Sequence, residues 1–114
     1  MEAKMKSFLT GSRAYGTPKE DSDYDVVVSM SQELCDTLRP ASEAEAPDYP
    51  HSVALRFGKL NLICAVHPVM YEAWRKGNEL CLAEAPITHE RAIEIMVPLR
   101  LQAECDISKA GVPE

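Results

Sequence analysis

The chain has 114 residues, room for one domain and not two. Hydrophobic residues make up 46% and charged residues 26%, a balance that builds a modest core and argues against a wholly disordered chain. Twelve basic and 18 acidic residues give a formal charge of −6, which argues against a broad surface for the phosphate backbone of nucleic acid. No apolar run approaches the roughly 20 residues of a membrane span, and the start from Met1 to Lys6 lacks the apolar stretch of a signal peptide. The expectation is a soluble, cytoplasmic protein with no membrane contact.

In chain order, Met5–Thr10 is short and partly apolar and ends at Gly11, as a strand entering a turn does. Asp25–Met30 is rich in Val and reads as a buried strand. Ser29 or Ser31 then caps a helix over Gln32–Leu38. Arg39–Pro50 holds three prolines and no periodicity, and reads as an exposed loop. Ser52–Phe57 and Leu60–Val66 flank Gly58-Lys59 and form a hairpin, whose first strand offers an edge for a second subunit. Val53, Leu55 and Phe57 share one face of the first strand. In the second, Leu60, Leu62, Cys64 and Val66 share one face, and Asn61, Ile63 and Ala65 the other.

Pro68 opens a helix with Met70, Trp74 and Cys81 near one stripe and Tyr71 beside it. A last helix starts near Thr88, turns Ile93, Met96 and Val97 inward, and is kinked or ended by Pro98. The expected fold is thus α/β (α+β), a small mixed sheet with helices packed on it. One domain covers 1–106, and a flexible tail covers 107–114. Cys35, Cys64, Cys81 and Cys105 have no close spacing and read as reduced thiols packed as small hydrophobes. His51, His67 and His89 also lack paired spacing and read as loop or cap residues.

The chemistry is concentrated between Thr10 and Val28. Asp23 and Asp25 are two apart at the start of a predicted strand, so their carboxylates leave the same face and repel unless a cation joins them. Hard oxygen ligands suit Mg²⁺ or Mn²⁺, which also bind substrate phosphates. Gly11 lets backbone N–H groups approach an anion closely, the Ser12 hydroxyl adds a donor, and Arg13 adds a charge suited to phosphate oxygens. Each feature alone is common turn chemistry; their combination is far more specific. It places a phosphate cradle beside a metal pair, as nucleotidyl transfer needs.

The run Gly11-Ser12-Arg13-Ala14-Tyr15-Gly16-Thr17 followed by Asp21-Ser22-Asp23-Tyr24-Asp25 resembles the signature of the DNA polymerase β-like nucleotidyltransferase superfamily, and is closest to its small stand-alone members. The resemblance implies an NTP held at Gly11-Ser12, with Arg13 near the triphosphate. It also implies two divalent ions held largely by Asp23 and Asp25, and transfer of a nucleoside monophosphate to a hydroxyl acceptor. The −6 charge makes that acceptor a protein or small molecule rather than nucleic acid. A protein partner or a homo-oligomer completes so small a core.

Members supply a third acid from a later strand. The matching position here is Asn61, whose amide oxygen can ligate a cation but cannot take a proton. Asn61 thus either faces the site as a metal ligand or makes an edge or partner contact. Asp21 and the acids Glu43, Glu45 and Asp48 offer replacements outside the family's geometry. The alternative function is a catalytically weakened or inactive member acting as a nucleotide- or protein-binding module.

Overall fold

Five strands form one mixed sheet in a computed structural model that describes residues 6–49 and 51–111. The strands are β1 (Ser7–Thr10), β2 (Tyr24–Ser29), β3 (Ala44–Tyr49), β4 (Ser52–Phe57) and β5 (Leu60–Ala65), and their order across the sheet is β1-β2-β5-β4-β3. Only β2 and β5 run parallel; the other pairs are antiparallel. Met5, expected at the start of β1, lies outside the described residues.

Four helices pack on the sheet: α1 (Ser12–Tyr15), α2 (Gln32–Leu38), α3 (Pro68–Glu84) and α4 (His89–Gly111). Ser31 caps α2, its Oγ accepting from the Leu34 N–H at 3.1 Å. Pro68 stands in the first turn of α3, where its missing N–H costs nothing, and the His67 ring accepts from the Val69 N–H at 3.1 Å. The expected stripe of Met70, Tyr71, Trp74 and Cys81 is buried.

The alternation along each strand divides the core between the two sheet faces. Val27, Ala54, Ile63 and Ala65 pack under α3 and α4 with Trp74, Met96 and Ala103. Val28, Leu55 and Cys64 pack on the opposite face with Cys35 of α2, flanked by Val53, Phe57 and Leu62. At Gly77 of α3 a Cβ would collide with the Met96 sulfur, so the missing side chain makes room for the Met96 side chain of α4.

Five expectations are corrected. The expected loop from Arg39 holds a 3₁₀ turn, Arg39–Ala41, and then β3 on the sheet edge. Pro47 is tolerated there because an edge strand spares one row of N–H groups, and the register shifts between Ala46 and Tyr49. Pro50, the end of that expected loop, lies outside the described residues. Because β3 covers β4, Ser52–Phe57 is an internal strand and offers no free edge.

Pro98 does not end α4. The helix passes through it to Gly111, since Met96 before it and Ala103 and Ile107 after it are anchored in the core. Ile93 is 44% exposed rather than inward, whereas Met96 is buried. Ile107, expected to begin a frayed tail, is a buried helical residue, and 112–114 lie outside the described residues.

Candidate active site

Thr10, Asp25, Asn61 and Arg56 stand in one row across four strands. Thr10 pairs with Asp25, Asp25 with Asn61, and Asn61 with Arg56. Cross-strand partners point to the same side of a sheet. The row therefore projects toward α3 and α4, on the face that carries Val27 and Ile63 deeper in. Asn61 occupies a central strand, so the reading of it as an edge residue falls. Its Nδ2 donates to Asp25 Oδ1 at 3.0 Å.

Thr10, Asp25 and Asn61 of this row border a cleft of about 260 Å³. Gly11, Ser12 and Tyr15 form one wall, Asp25 and Asn61 the floor, and Trp74, His89, Met96 and Arg100 of α3 and α4 the other side. A second hollow of about 190 Å³ adjoins it between Gly11–Thr17 and Ile87–His89. The connection from α3 to α4 is docked here, with the Ile87 N–H donating to the Tyr15 carbonyl at 2.9 Å. Trp74 is fixed by its Nε1, which donates to the buried Ser52 hydroxyl at 3.1 Å. Arg100 lies over the Trp74 ring, 5.0 Å from its centre.

Gly11 is the tightest point. Its φ is +74°, a region that L side chains rarely adopt, and a Cβ there would collide with the Asp25 carboxylate. Turn and carboxylate are thus in contact only because position 11 has no side chain. Thr10 Oγ1 donates to the buried Tyr15 hydroxyl at 3.3 Å, which ties the end of β1 to α1.

The two aspartates differ. Asp25 lies within β2 and lines the cleft, whereas Asp23 precedes the strand and is not among the lining residues. Arg56 donates from one guanidinium nitrogen to Asp23 Oδ2 at 2.5 Å and from another to the Gly58 carbonyl at 3.2 Å. Burial raises the Asp25 carboxyl above its ordinary range. The Asn61 hydrogen bond opposes that rise, the nearby Asp23 charge adds to it, and the Arg56 and His89 charges oppose it.

Arg13 is placed otherwise than expected. It does not line the cleft; its guanidinium donates to the carbonyls of Ser22 at 2.9 and 3.0 Å, Glu20 at 3.0 Å and Lys19 at 3.3 Å. It also stacks over Tyr24 at 4.1 Å. The charge is spent on shaping the loop that delivers Asp23. Of the replacement acids, Asp21 is exposed, and Glu43 accepts from the Gly58 N–H at 3.2 Å; neither lines the cleft.

Arg56 and Arg100 were not singled out by sequence, and His89 was read only as a loop or cap residue. The alternation of β4 puts Arg56 opposite Leu55, but its level with Asp25 follows only from the register. Three of the four cysteines are buried, Cys105 is exposed, and all four are free thiols.

The donors present suit a small, hard dication: two carboxylates and an amide oxygen, with the Gly11 backbone close against Asp25. Among the described residues no group of three or more His, Cys, Asp or Glu side chains converges as a metal cluster. A divalent ion here would rest on the aspartate pair, the Asn61 amide and oxygens of a substrate. No helix of the described residues is long and apolar enough to cross a membrane.

Residues 2–62, just over half of the chain, match the family model of the nucleotidyltransferase domain. That stretch contains the Gly11 turn, both aspartates, Arg56 and Asn61. Neither a curated protein nor a solved structure matches the chain.

Proposed function

The chain belongs to the nucleotidyltransferase domain family, and we propose that it moves a nucleoside monophosphate from an NTP to a hydroxyl of a protein or small-molecule acceptor, with two divalent ions, Mg²⁺ or Mn²⁺. The observation that carries this reading is the shared wall, where Gly11, Ser12 and Asp25 border one cleft and only a residue without Cβ fits between turn and carboxylate.

A triphosphate needs close N–H donors on one side and cations on the other. Gly11 and Ser12 supply the donors, with the Ser12 hydroxyl available to a phosphate oxygen. Asp23, Asp25 and the Asn61 amide oxygen would hold the ions, which when bound polarise the α-phosphate and stabilise the leaving pyrophosphate. Arg13 keeps the 19–22 loop in shape and so positions Asp23. The acceptor oxygen bonds to the α-phosphorus as the bond to the bridging oxygen breaks. The acceptor proton leaves to a carboxylate or to water, because an amide at position 61 cannot accept it. Trp74, Ile93 and Met96 give the cleft an apolar side suited to a base or an acceptor body.

The test is a thermal-shift titration with Mg²⁺ or Mn²⁺ and each of the four NTPs, followed by mass analysis of acceptors for an added nucleoside monophosphate. The metal–NTP pair raises the Tm, and Asp23→Ala with Asp25→Ala removes the shift. No shift with any NTP at millimolar concentration overturns the reading.

Two contacts favour a second reading, a nucleotide- or protein-binding module without transfer. Asn61 stands where family members carry an acid and turns its amide nitrogen to Asp25, and Arg56 is bonded to Asp23. This module binds nucleotide, or a protein partner, and yields no adduct on any acceptor.

A further inference from the structure

Asp23, assigned above as a metal ligand, already has a cation. We propose that Arg56 is a tethered counter-ion of the site: its guanidinium competes with a divalent ion for Asp23, and metal enters only as the guanidinium leaves. The inference rests on the reading of Asp23 and Asp25 as the metal pair.

Position carries the first part of the argument. Arg56 is level with Asn61, and Asn61 with Asp25, so Arg56 projects from the face that bears the cleft. From there it reaches the aspartate that precedes β2. The tether carries the second. One nitrogen is held by the Gly58 carbonyl of the β4–β5 turn while another holds Asp23, so the group that lets go stays beside the site.

The third part is strength. Both side chains of the pair are 39% exposed, and an ion pair so open to water is weak and screened. A dication that meets two carboxylates can displace it. The charge arithmetic gives the direction. Asp23, Asp25 and Arg56 together carry −1, and without Arg56 the pair carries −2. A dication feels that difference at close range, and removing the guanidinium tightens its binding on the order of tenfold.

The competition has a consequence for order of binding. A bare ion must displace Arg56 alone, whereas an ion that arrives with a triphosphate brings oxygens for which a planar guanidinium is well suited. Nucleotide and metal therefore strengthen each other's binding, and Arg56 is the residue that couples them.

The test is Mn²⁺ binding to the full chain without nucleotide, followed by the electron paramagnetic resonance signal of the free ion, in wild type, Arg56→Gln and Arg56→Lys. The expected result is about tenfold tighter binding in Arg56→Gln and near-wild-type binding in Arg56→Lys, which keeps the charge. Equal or weaker binding in Arg56→Gln overturns the competition while leaving the metal pair standing. Tightening in both variants alike also overturns it, because charge is then not the cause. Absence of Mn²⁺ binding in every protein, with or without NTP, overturns the metal pair and this proposal together. A measurement on the wild type needs no variant: Mg²⁺ titration should shift the side-chain N–H resonance of Arg56 in step with metal binding. Metal binding with that resonance unmoved overturns the proposal.

Discussion

Two neighbouring rows of the same sheet have opposite characters. Thr10, Asp25, Asn61 and Arg56 make the polar row under α3 and α4. One residue along each strand, Leu9, Val26, Leu62 and Leu55 pair in the same way on the face of α2. Val26, Leu62 and Leu55 of the apolar row join the core under α2, where Leu55, Cys35 and Cys64 are fully buried, while Leu9 on the edge strand is 40% exposed. Thr10, Asp25 and Asn61 of the polar row border a cleft walled by the Gly11 turn on one side and by the fixed Trp74 ring on the other. Both faces carry an apolar core, and the larger one lies under α3 and α4 beside the polar row itself. That packing offsets the cost of a partly buried carboxylate whose burial works against its charge.

The contrast can be tested most strongly at Asn61. Asn61→Asp places an acid in the polar row beside Asp25 and should raise nucleotidyl transfer on the order of 10²- to 10⁴-fold, read as labelled nucleotide incorporated into acceptor. The same change adds a negative charge beside Asp25 and should lower the Tm of the metal-free protein. Unchanged transfer would mean that other parts of the machinery are also missing.

Leu55→Ala strikes the other row. Its side chain is fully buried, so the change should cost about 2–5 kcal/mol in denaturant unfolding, while the Tm increment given by metal and NTP persists. The same variant should expose a thiol. Burial and the adjacent Cys35 push the Cys64 thiol up to about 12. In the wild type Cys64 should therefore resist alkylation under conditions that label the exposed Cys105, and in Leu55→Ala it should label faster.

Ser52→Ala leaves the buried Trp74 N–H without its acceptor. It should cost about 1–3 kcal/mol and weaken nucleotide binding, because the loosened ring lines the cleft. Calorimetric titration with an NTP checks the second effect; unchanged affinity would separate the ring's anchoring from the cleft.

The smallest effect concerns pH. The Asp25 carboxyl is raised in the folded state, so between its unfolded and folded pKa the native protein holds more protons. Metal-free stability should then fall as pH rises through that window. Asp25→Asn should flatten the fall and raise the metal-free Tm by a few degrees, measured in melting scans on the acid side of neutrality. It should also remove metal-dependent nucleotide binding.

Much of this was legible in the residues themselves. The face assignments of Ser52–Phe57 and Leu60–Ala65 hold because alternation is a property of each strand alone. The cap at Ser31 and the helix start at Pro68 hold because they depend on a few adjacent groups. The Gly11-Ser12 turn pointed to the cleft for the same local reason, whereas of the two aspartates only Asp25 lies on the strand and lines the cleft. Arg39–Pro50 misled because an edge strand tolerates a proline that an internal one would not, and only its pairing with β4 reveals it. Pro98 does not end the helix because core contacts on both sides of it outweigh one lost helical hydrogen bond.

Composition, alternation and one motif therefore determined the fold class, the two faces and the nucleotidyltransferase signature. Tertiary structure alone decided that Asn61 meets Asp25, that Arg56 binds Asp23 and that Arg13 serves a loop instead of the cleft. The reason is register. A strand carries its own alternation, but its level against a neighbour is set by hydrogen bonds to distant segments. A slip of one residue would put the apolar row where the carboxylate now stands.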